Sequence, residues 1–174
     1  MTSVSPGIRR RRIHTAGFTL IEAVISSLII GTMFVAAVNT VGASRLSQYK
    51  TSVVTQGQML ADLLLAEILV QNYADPSGSL TFGPEFGESN GTRSGFDDVD
   101  DYHGWSGKSA LDKSGSAIED FSDWQRNITV EWVDPMNPNQ VKPAETNAKR
   151  ITVTVKYSDT EVISLTVIRT AHSL

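Results

Sequence analysis

An apolar segment without a single charged residue runs from Ala23 to Ser44, close to the N-terminus. Together with its flanks it exceeds the roughly 20 residues that a helix needs to cross a membrane, which predicts a transmembrane helix over residues 18–43. Apolar positions then recur at helical spacing as far as Ile68, so we expect the helix to continue over residues 44–72 beneath a folded domain. Few charges occur between Met59 and Val70, and this part of the helix is predicted to be deeply buried.

Three segments near the C-terminus alternate apolar and polar residues, a pattern typical of half-buried strands. They cover residues 128–133, 150–157 and 161–170. The tripeptide Ser158-Asp159-Thr160 is interpreted as a polar hairpin connection, and the Pro-rich stretch 134–149 as an exposed loop. A long N-terminal helix packed on a small antiparallel sheet predicts an α+β fold.

Residues 74–126 lie between the helix and the strands and contain many glycines but little periodicity. A structureless stretch of this length is unusual inside a compact domain. We therefore predict an irregular but ordered layer, held to the core by aromatic side chains. These anchors are Phe82, Phe86, Phe96, Tyr102, Trp105, Phe121 and Trp124.

Residues 1–17 are predicted to be a leader peptide. Its four consecutive arginines, Arg9 to Arg12, indicate that the N-terminus faces the cytoplasm and that residues 44–174 are exported. A secretory signal peptide would place its cleavage site after the apolar core. Removal of residues 1–17 as a leader would instead cut the chain before the apolar run, so the transmembrane helix would remain in the mature chain.

The string GFTLIE occupies residues 17–22, between the arginines and the apolar run. The acid Glu22 at the edge of a membrane-length apolar segment is energetically costly, which makes it a candidate functional residue. A basic leader followed by Gly and Phe-Thr-Leu-Ile-Glu resembles the processing signal of type IV prepilins and pseudopilins. The resemblance covers roughly the first quarter of the chain and implies the pilin architecture, a long helix laid on an antiparallel sheet.

The resemblance also implies how the chain is processed and assembled. A prepilin peptidase would cleave between Gly17 and Phe18 and methylate the new N-terminus at Phe18. Glu22 would become the fifth mature residue and pair with the N-terminal amine of a neighbouring subunit, because a charge buried among apolar helices is strongly disfavoured unless it is paired.

Partners and location follow from the same resemblance. We expect contacts with the prepilin peptidase, with other pilin or pseudopilin subunits through the N-terminal helix, and with an inner-membrane assembly platform. The expected location is the bacterial inner membrane, as a single-pass protein with a cytoplasmic N-terminus and a periplasmic domain. Assembly would then move the chain into a pilus or a pseudopilus.

Four carboxylates crowd together in the middle of the chain and must repel one another. They belong to Asp97, Asp98, Asp100 and Asp101. Such a cluster is either a solvated surface turn, here anchored by Tyr102 and Trp105, or a site for a cation such as Ca²⁺, which prefers oxygen ligands. The spacing of an EF-hand is missing, and we favour the surface turn while keeping structural calcium as the alternative. The string DDVDDYHG also resembles the D-type minor pilins of mannose-sensitive haemagglutinin pili, which favours a minor over a major subunit.

Composition argues against several other classes of protein. The 15 basic residues, four of them in the leader, are outnumbered by 19 acidic ones, which is a poor match to sequence-independent binding of nucleic acid. Cysteine is absent, so no disulfide or thiol nucleophile is available. His103 lies beside Asp100 and Asp101, but no nucleophile or metal motif accompanies it, and we predict neither an enzyme nor a cofactor beyond the possible calcium.

The predicted function is therefore that of a minor pilin that assembles into a pilus and serves surface attachment. A pseudopilin of a type II secretion system shares the same N-terminal features and stays open as an alternative. A single-pass anchored binding domain that never polymerises, with the acidic segment as its ligand site, is an alternative of another class.

Overall fold

The computed structural model describes residues 17–88 and 91–171, so all of the predicted leader except Gly17 lies outside the described residues. Within that part the elements are helix α1 (Leu20–Leu69), a 3₁₀-helix (Asp100–Tyr102) and strands β1 (Ser106–Gly107), β2 (Trp124–Asp134), β3 (Asn137–Val141), β4 (Ala148–Tyr157) and β5 (Thr160–Thr170). The chain divides into two compact units, Met1–Ser47 and Gln48–Leu174, which are described separately.

In the first unit, α1 carries the apolar run. Its N-terminal part includes an 18-residue stretch with a mean hydropathy of 2.1, which is long and apolar enough to cross a membrane. Every residue from 17 to 47 is exposed within the single chain. The predicted transmembrane segment therefore falls on the N-terminal part of a helix that begins at Leu20, and all of its residues are exposed within the single chain.

In the second unit, the continuing part of α1 buries one face against the sheet. The buried residues follow the i, i+3, i+4 pattern of one helix face: Gly57, Leu60, Ala61, Leu64 and Ile68. Leu63 on the remaining surface of the helix is 55% exposed, and Val70, directly after the helix, is 80% exposed. The predicted deep burial between Met59 and Val70 is thus wrong for all but one face, and the helix ends at Leu69 rather than at residue 72.

All strand pairs are antiparallel, and the order in the sheet is β1-β2-β4-β5, with β3 paired to the end of β2. The predicted strands at residues 150–157 and 161–170 correspond to β4 and β5. Strand β2 begins before residue 128, since Trp124 already pairs with Tyr157. Most residues from 134 to 147 are exposed as predicted, but the assignment of 134–149 as a loop is wrong, because this stretch contains β3 and the start of β4.

The connection between β4 and β5 is a two-residue turn. Ser158 and Asp159 have φ angles of 47° and 64°, and positive φ at both central residues is the type I′ geometry that matches the twist of paired strands. Thr160, predicted to be part of the connection, already pairs with Tyr157. The turn is held from outside by Gln125, whose Nε2 donates to Asp159 Oδ1 at 2.9 Å.

The irregular layer of residues 74–126 contains the 3₁₀-helix, β1 and the first residues of β2. Six of the seven predicted aromatic anchors are buried in the core or packed against it: Phe82, Phe96, Tyr102, Trp105, Phe121 and Trp124. Phe86 is fully exposed, so its assignment as an anchor is wrong. The layer is an integral part of the core of the second unit.

Gly57 offers a test of how closely α1 packs on the sheet. A Cβ atom added there would lie 3.0 Å from Val162 Cγ1 and 3.2 Å from the Trp124 ring. We expect Gly57→Leu to lower the free energy of unfolding by about 1–3 kcal/mol through overpacking, although leucine favours the helix by nearly 1 kcal/mol. Thermal unfolding of the full chain in detergent, followed by tryptophan fluorescence, measures this.

The matched control is Gln56→Leu, which places the same side chain on the neighbouring, exposed position. We expect its effect to stay within about 0.5 kcal/mol, as is usual for surface substitutions. An equal loss of stability in the two variants would contradict the close packing of α1 on the sheet.

Candidate functional site

The predicted processing residues lie at the start of α1. Gly17 and Phe18 precede the helix in non-helical backbone, and the Phe18 side chain is exposed. Glu22 lies in the first turn of α1 and is exposed as well. A carboxylate in this position interacts favourably with the N-terminal end of the helix dipole. The peptide bond expected to be cleaved is therefore free of helical structure, while the acid is held on the helix.

Thr19 positions this arrangement and was missed in the interpretation of the sequence. Its Oγ1 accepts a hydrogen bond from the backbone N–H of Glu22 at 3.3 Å, as the N-cap of α1 does. The pattern Thr-x-x-Glu at residues 19–22 is a capping-box signature and could have located the helix start. The helix thus begins between the expected cleavage site and the expected assembly residue.

The acidic segment of residues 97–101 is largely buried. Asp98, Asp100 and Asp101 are 2%, 5% and 1% exposed, and Asp97 is partly buried. The prediction of a solvated acidic surface turn is therefore wrong. Its physical premise, that crowded carboxylates need water, fails for Asp98 Oδ1, Asp101 Oδ2 and Asp100, where backbone N–H groups and a lysine take the place of water.

Two of these carboxylates close the turn on itself. Asp98 Oδ1 accepts hydrogen bonds from the backbone N–H groups of Asp100 at 2.7 Å and Asp101 at 3.3 Å. Asp101 Oδ2 accepts from the N–H groups of Asp97 at 2.9 Å and Asp98 at 3.0 Å. Burial and the adjacent charge of Asp100 nevertheless raise the pKa of Asp98 to about 7. These side chains act as local caps of the backbone, as short acidic residues often do in turns.

Asp100 has a different partner, Lys149 of β4. The two side chains form a salt bridge in which both are almost completely buried. Lys149 also donates to the backbone carbonyl of Tyr73, and its Nζ lies 4.4 Å from the centroid of the Tyr73 ring. Asp100 Oδ2 in turn accepts from the N–H of Gly83 at 3.3 Å. This ion pair connects the irregular layer to the sheet.

A second buried network connects the layer to α1. Glu67 accepts two hydrogen bonds from Arg93, at 2.8 Å and 3.0 Å, and one from the Tyr102 hydroxyl at 3.1 Å. The Arg93 guanidinium is buried and lies 4.1 Å from the centroid of the Trp105 ring. Burial raises the pKa of Tyr102 above its ordinary value, so the hydroxyl stays a donor. Glu67 was visible in the sequence as a charge within an apolar helix stripe, but its partners were not.

His103 contributes to the structure of the sheet. Its Nδ1 accepts a hydrogen bond from the backbone N–H of Val130 at 3.2 Å, and its ring lies 5.2 Å from that of Phe82. Among its acidic neighbours, Asp100 and the Oδ2 atom of Asp101 are engaged in the contacts described above. His103, which was considered as a catalytic candidate because of its acidic neighbours, therefore has a structural role next to β2.

The four aspartates are not brought together as one ligand set. Asp98 closes the turn and Asp100 pairs with Lys149, whereas carboxylate oxygens of Glu85, Glu88 and Asp101 lie within 4.8 Å of one another. The structure thus groups one of the four predicted calcium ligands with two glutamates from the preceding loop. Neither glutamate was singled out from the sequence, because nothing in it places residues 85–88 beside residue 101.

Comparison of the chain with protein-family models, with curated proteins and with solved structures found no match. The resemblance to prepilins therefore depends on residues 17–22, on the apolar run behind them and on the acidic string. Cleavage, methylation and assembly stay predictions.

The Asp100–Lys149 pair predicts a large effect of removing one charge. We expect Lys149→Met to lower the free energy of unfolding by about 3–5 kcal/mol, because the Asp100 carboxylate would stay buried without its partner. The double variant Lys149→Met/Asp100→Asn should recover part of this loss. Thermal unfolding of the three proteins in detergent measures both effects.

Lys142 provides the control, since it pairs with Asp134 at 3.0 Å while both side chains are partly exposed. We expect Lys142→Met to cost about 1 kcal/mol or less, as exposed ion pairs generally do. Similar losses at Lys149 and Lys142 would show that the Asp100–Lys149 pair has no special role in this fold.

Proposed function

We propose that the chain is a type IV pilin-like minor subunit, cleaved between Gly17 and Phe18, methylated at Phe18 and assembled into a pilus that serves surface attachment. The observation that carries this proposal is the string GFTLIE at residues 17–22, at the start of a membrane-length apolar helix. The α+β arrangement of the second unit is consistent with it. Catalysis has no place in the proposal, and the subunit would act through its contacts.

The apolar surface of the first unit supports an assembling role. Residues 17–47 are exposed throughout the single chain, and they include large apolar side chains such as Leu28, Ile30 and Phe34. A surface of this kind is stable only in lipid or against other apolar helices. Exchange of lipid for the helices of neighbouring subunits would keep this surface covered during assembly.

Glu22 supports the same role through electrostatics. It is the one ionisable side chain between residues 17 and 44. Cleavage after Gly17 would create a cationic amine at Phe18, and methylation leaves that amine cationic. An ion pair between this amine and Glu22 of a neighbouring subunit would remove the cost of an unpaired charge among apolar helices and would fix the axial register of the subunits.

The acidic string favours a minor subunit. It lies in the layer of the second unit that Asp100 and Arg93 hold against the sheet and α1. Its likeness to the D-type minor pilins is the reason to propose a minor pilin rather than a pseudopilin of a secretion system. Incorporation into sheared surface filaments distinguishes the two, because a pseudopilin would affect protein secretion instead.

The first prediction concerns processing. Intact mass and N-terminal sequencing of the chain extracted from the membrane should give a protein that begins at N-methylated Phe18. Gly17→Val should retain the leader, because a branched side chain next to the cleaved bond would crowd the peptidase. A wild-type chain that begins at or near Met1 would refute the proposal and favour an anchored binding domain that does not polymerise.

The second prediction concerns assembly. Glu22→Ala should be cleaved and methylated like the wild type, yet its amount in sheared filaments should fall at least about tenfold, since the amine of the neighbouring subunit would lose its partner. Asp62→Ala is the control, because it removes an exposed carboxylate from the same helix. Normal incorporation of the Glu22 variant would rule out the pairing.

A further inference from the structure

Three carboxylates, two from a loop and one from the 3₁₀-helix, converge in the irregular layer. Glu85 and Glu88 belong to the loop that precedes the acidic segment, and Asp101 belongs to the 3₁₀-helix. Each offers an oxygen that lies within 4.8 Å of the oxygens of the other two. Like charges this close repel one another strongly unless something compensates for them.

The orientation of Asp101 leaves one of its oxygens free. The residue is 1% exposed, and its Oδ2 already accepts two backbone N–H groups, while its Oδ1 is buried without a hydrogen-bond partner. Glu85 Oε1 and Asp97 Oδ1 are buried without a partner as well. Buried acceptors are normally satisfied, because an unsatisfied one costs about 1–3 kcal/mol. Three such oxygens in the irregular layer therefore have unused capacity to accept a hydrogen bond or to bind a cation.

No side-chain cation of the described residues neutralises this group. The ion pairs found within residues 17–88 and 91–171 end on Glu67, Asp100, Glu131 and Asp134. Lys113 lies near Asp97, but its Nζ donates to the backbone carbonyl of Phe96 at 3.3 Å, and it is not among these ion pairs.

We propose that Glu85, Glu88 and Asp101, together with the nearby Asp97, bind one divalent cation, for which Ca²⁺ is the best match. Ca²⁺ takes six to eight oxygen ligands in irregular geometry, and carboxylates on loops supply them readily, with carbonyl oxygens and water completing the set. Asp101 suits this role because its Oδ2 is fixed by the turn while Oδ1 faces no donor. The cation would tie the loop around residue 85 to the 3₁₀-helix.

This site differs from the four-aspartate set expected from the sequence. Asp98 accepts hydrogen bonds from backbone N–H groups, and Asp100 pairs with Lys149. The proposal does not depend on pilus assembly. It assigns calcium a structural role in the second unit, whatever the partners of the N-terminal helix are. Sites of this kind in exported domains bind Ca²⁺ with dissociation constants of roughly 0.1–1 mM.

The test is thermal unfolding of the full chain in detergent at pH 7.5, followed by tryptophan fluorescence after treatment with a chelator. Addition of CaCl₂ at about 10 mM should raise the unfolding midpoint by about 5 °C or more, because a ligand that binds the folded state alone stabilises it. Equimolar MgCl₂ should do less, since Mg²⁺ demands regular octahedral geometry. Isothermal titration with CaCl₂ should give one site per chain.

Glu85→Gln/Glu88→Gln should abolish both the calcium-induced shift and the heat of binding. Glu119→Gln/Glu161→Gln, which neutralises two exposed carboxylates, should keep both. Asp101→Asn is a less clear variant because its Oδ2 also caps the turn, so the glutamate pair decides the matter. No shift with CaCl₂ in the wild type, or an equal shift in the Glu85/Glu88 variant, would overturn the proposal.

Discussion

The cost of burying a charge without a partner is the constraint on which the second unit depends. Glu67 with Arg93, and Asp100 with Lys149, are ion pairs in which at least one side chain is almost completely buried. Removing one partner of such a pair is far more costly than removing both, because the other charge then stays in a medium of low polarity. The two pairs therefore fix the irregular layer in one position, against α1 on one side and β4 on the other.

This constraint explains why the layer is ordered although it lacks regular structure. Arg93 and Glu67 are 26 residues apart in sequence, and Asp100 and Lys149 are 49 residues apart, so each pair closes a long loop once the chain folds. Aromatic contacts reinforce the pairs, since the Arg93 guanidinium lies over Trp105 and the Tyr102 hydroxyl reaches Glu67. Apolar burial alone would hold such glycine-rich backbone less specifically, because it is not directional.

Periodicity predicted the elements that have one regularly spaced apolar face. The apolar run with its helical stripe identified α1, and strict alternation identified β4 and β5. Strand β3 was missed because its sequence, Asn-Pro-Asn-Gln-Val, does not alternate apolar and polar residues. It is a strand because it pairs with β2. In the acidic segment, the density of charge was visible, but the lysine that compensates Asp100 and the glutamates beside Asp101 come from distant positions. Such partners follow from the tertiary fold, which local patterns do not encode.

The cost of burying an unpaired charge also applies to Glu22 in the first unit. In the second unit the partners of Glu67 and Asp100 come from the chain itself, whereas the ion pairs of the described residues do not include Glu22. Glu22 also lies on a stretch of helix that is exposed throughout and apolar enough to enter a membrane. If water is excluded from that surface, this carboxylate needs a cationic partner, and the amine that the proposed cleavage after Gly17 would create is a chemically suitable one. Pairing of that amine with Glu22 of a second copy would make assembly the step that satisfies the charge, which is the physical reason to propose an assembling subunit rather than an isolated anchor.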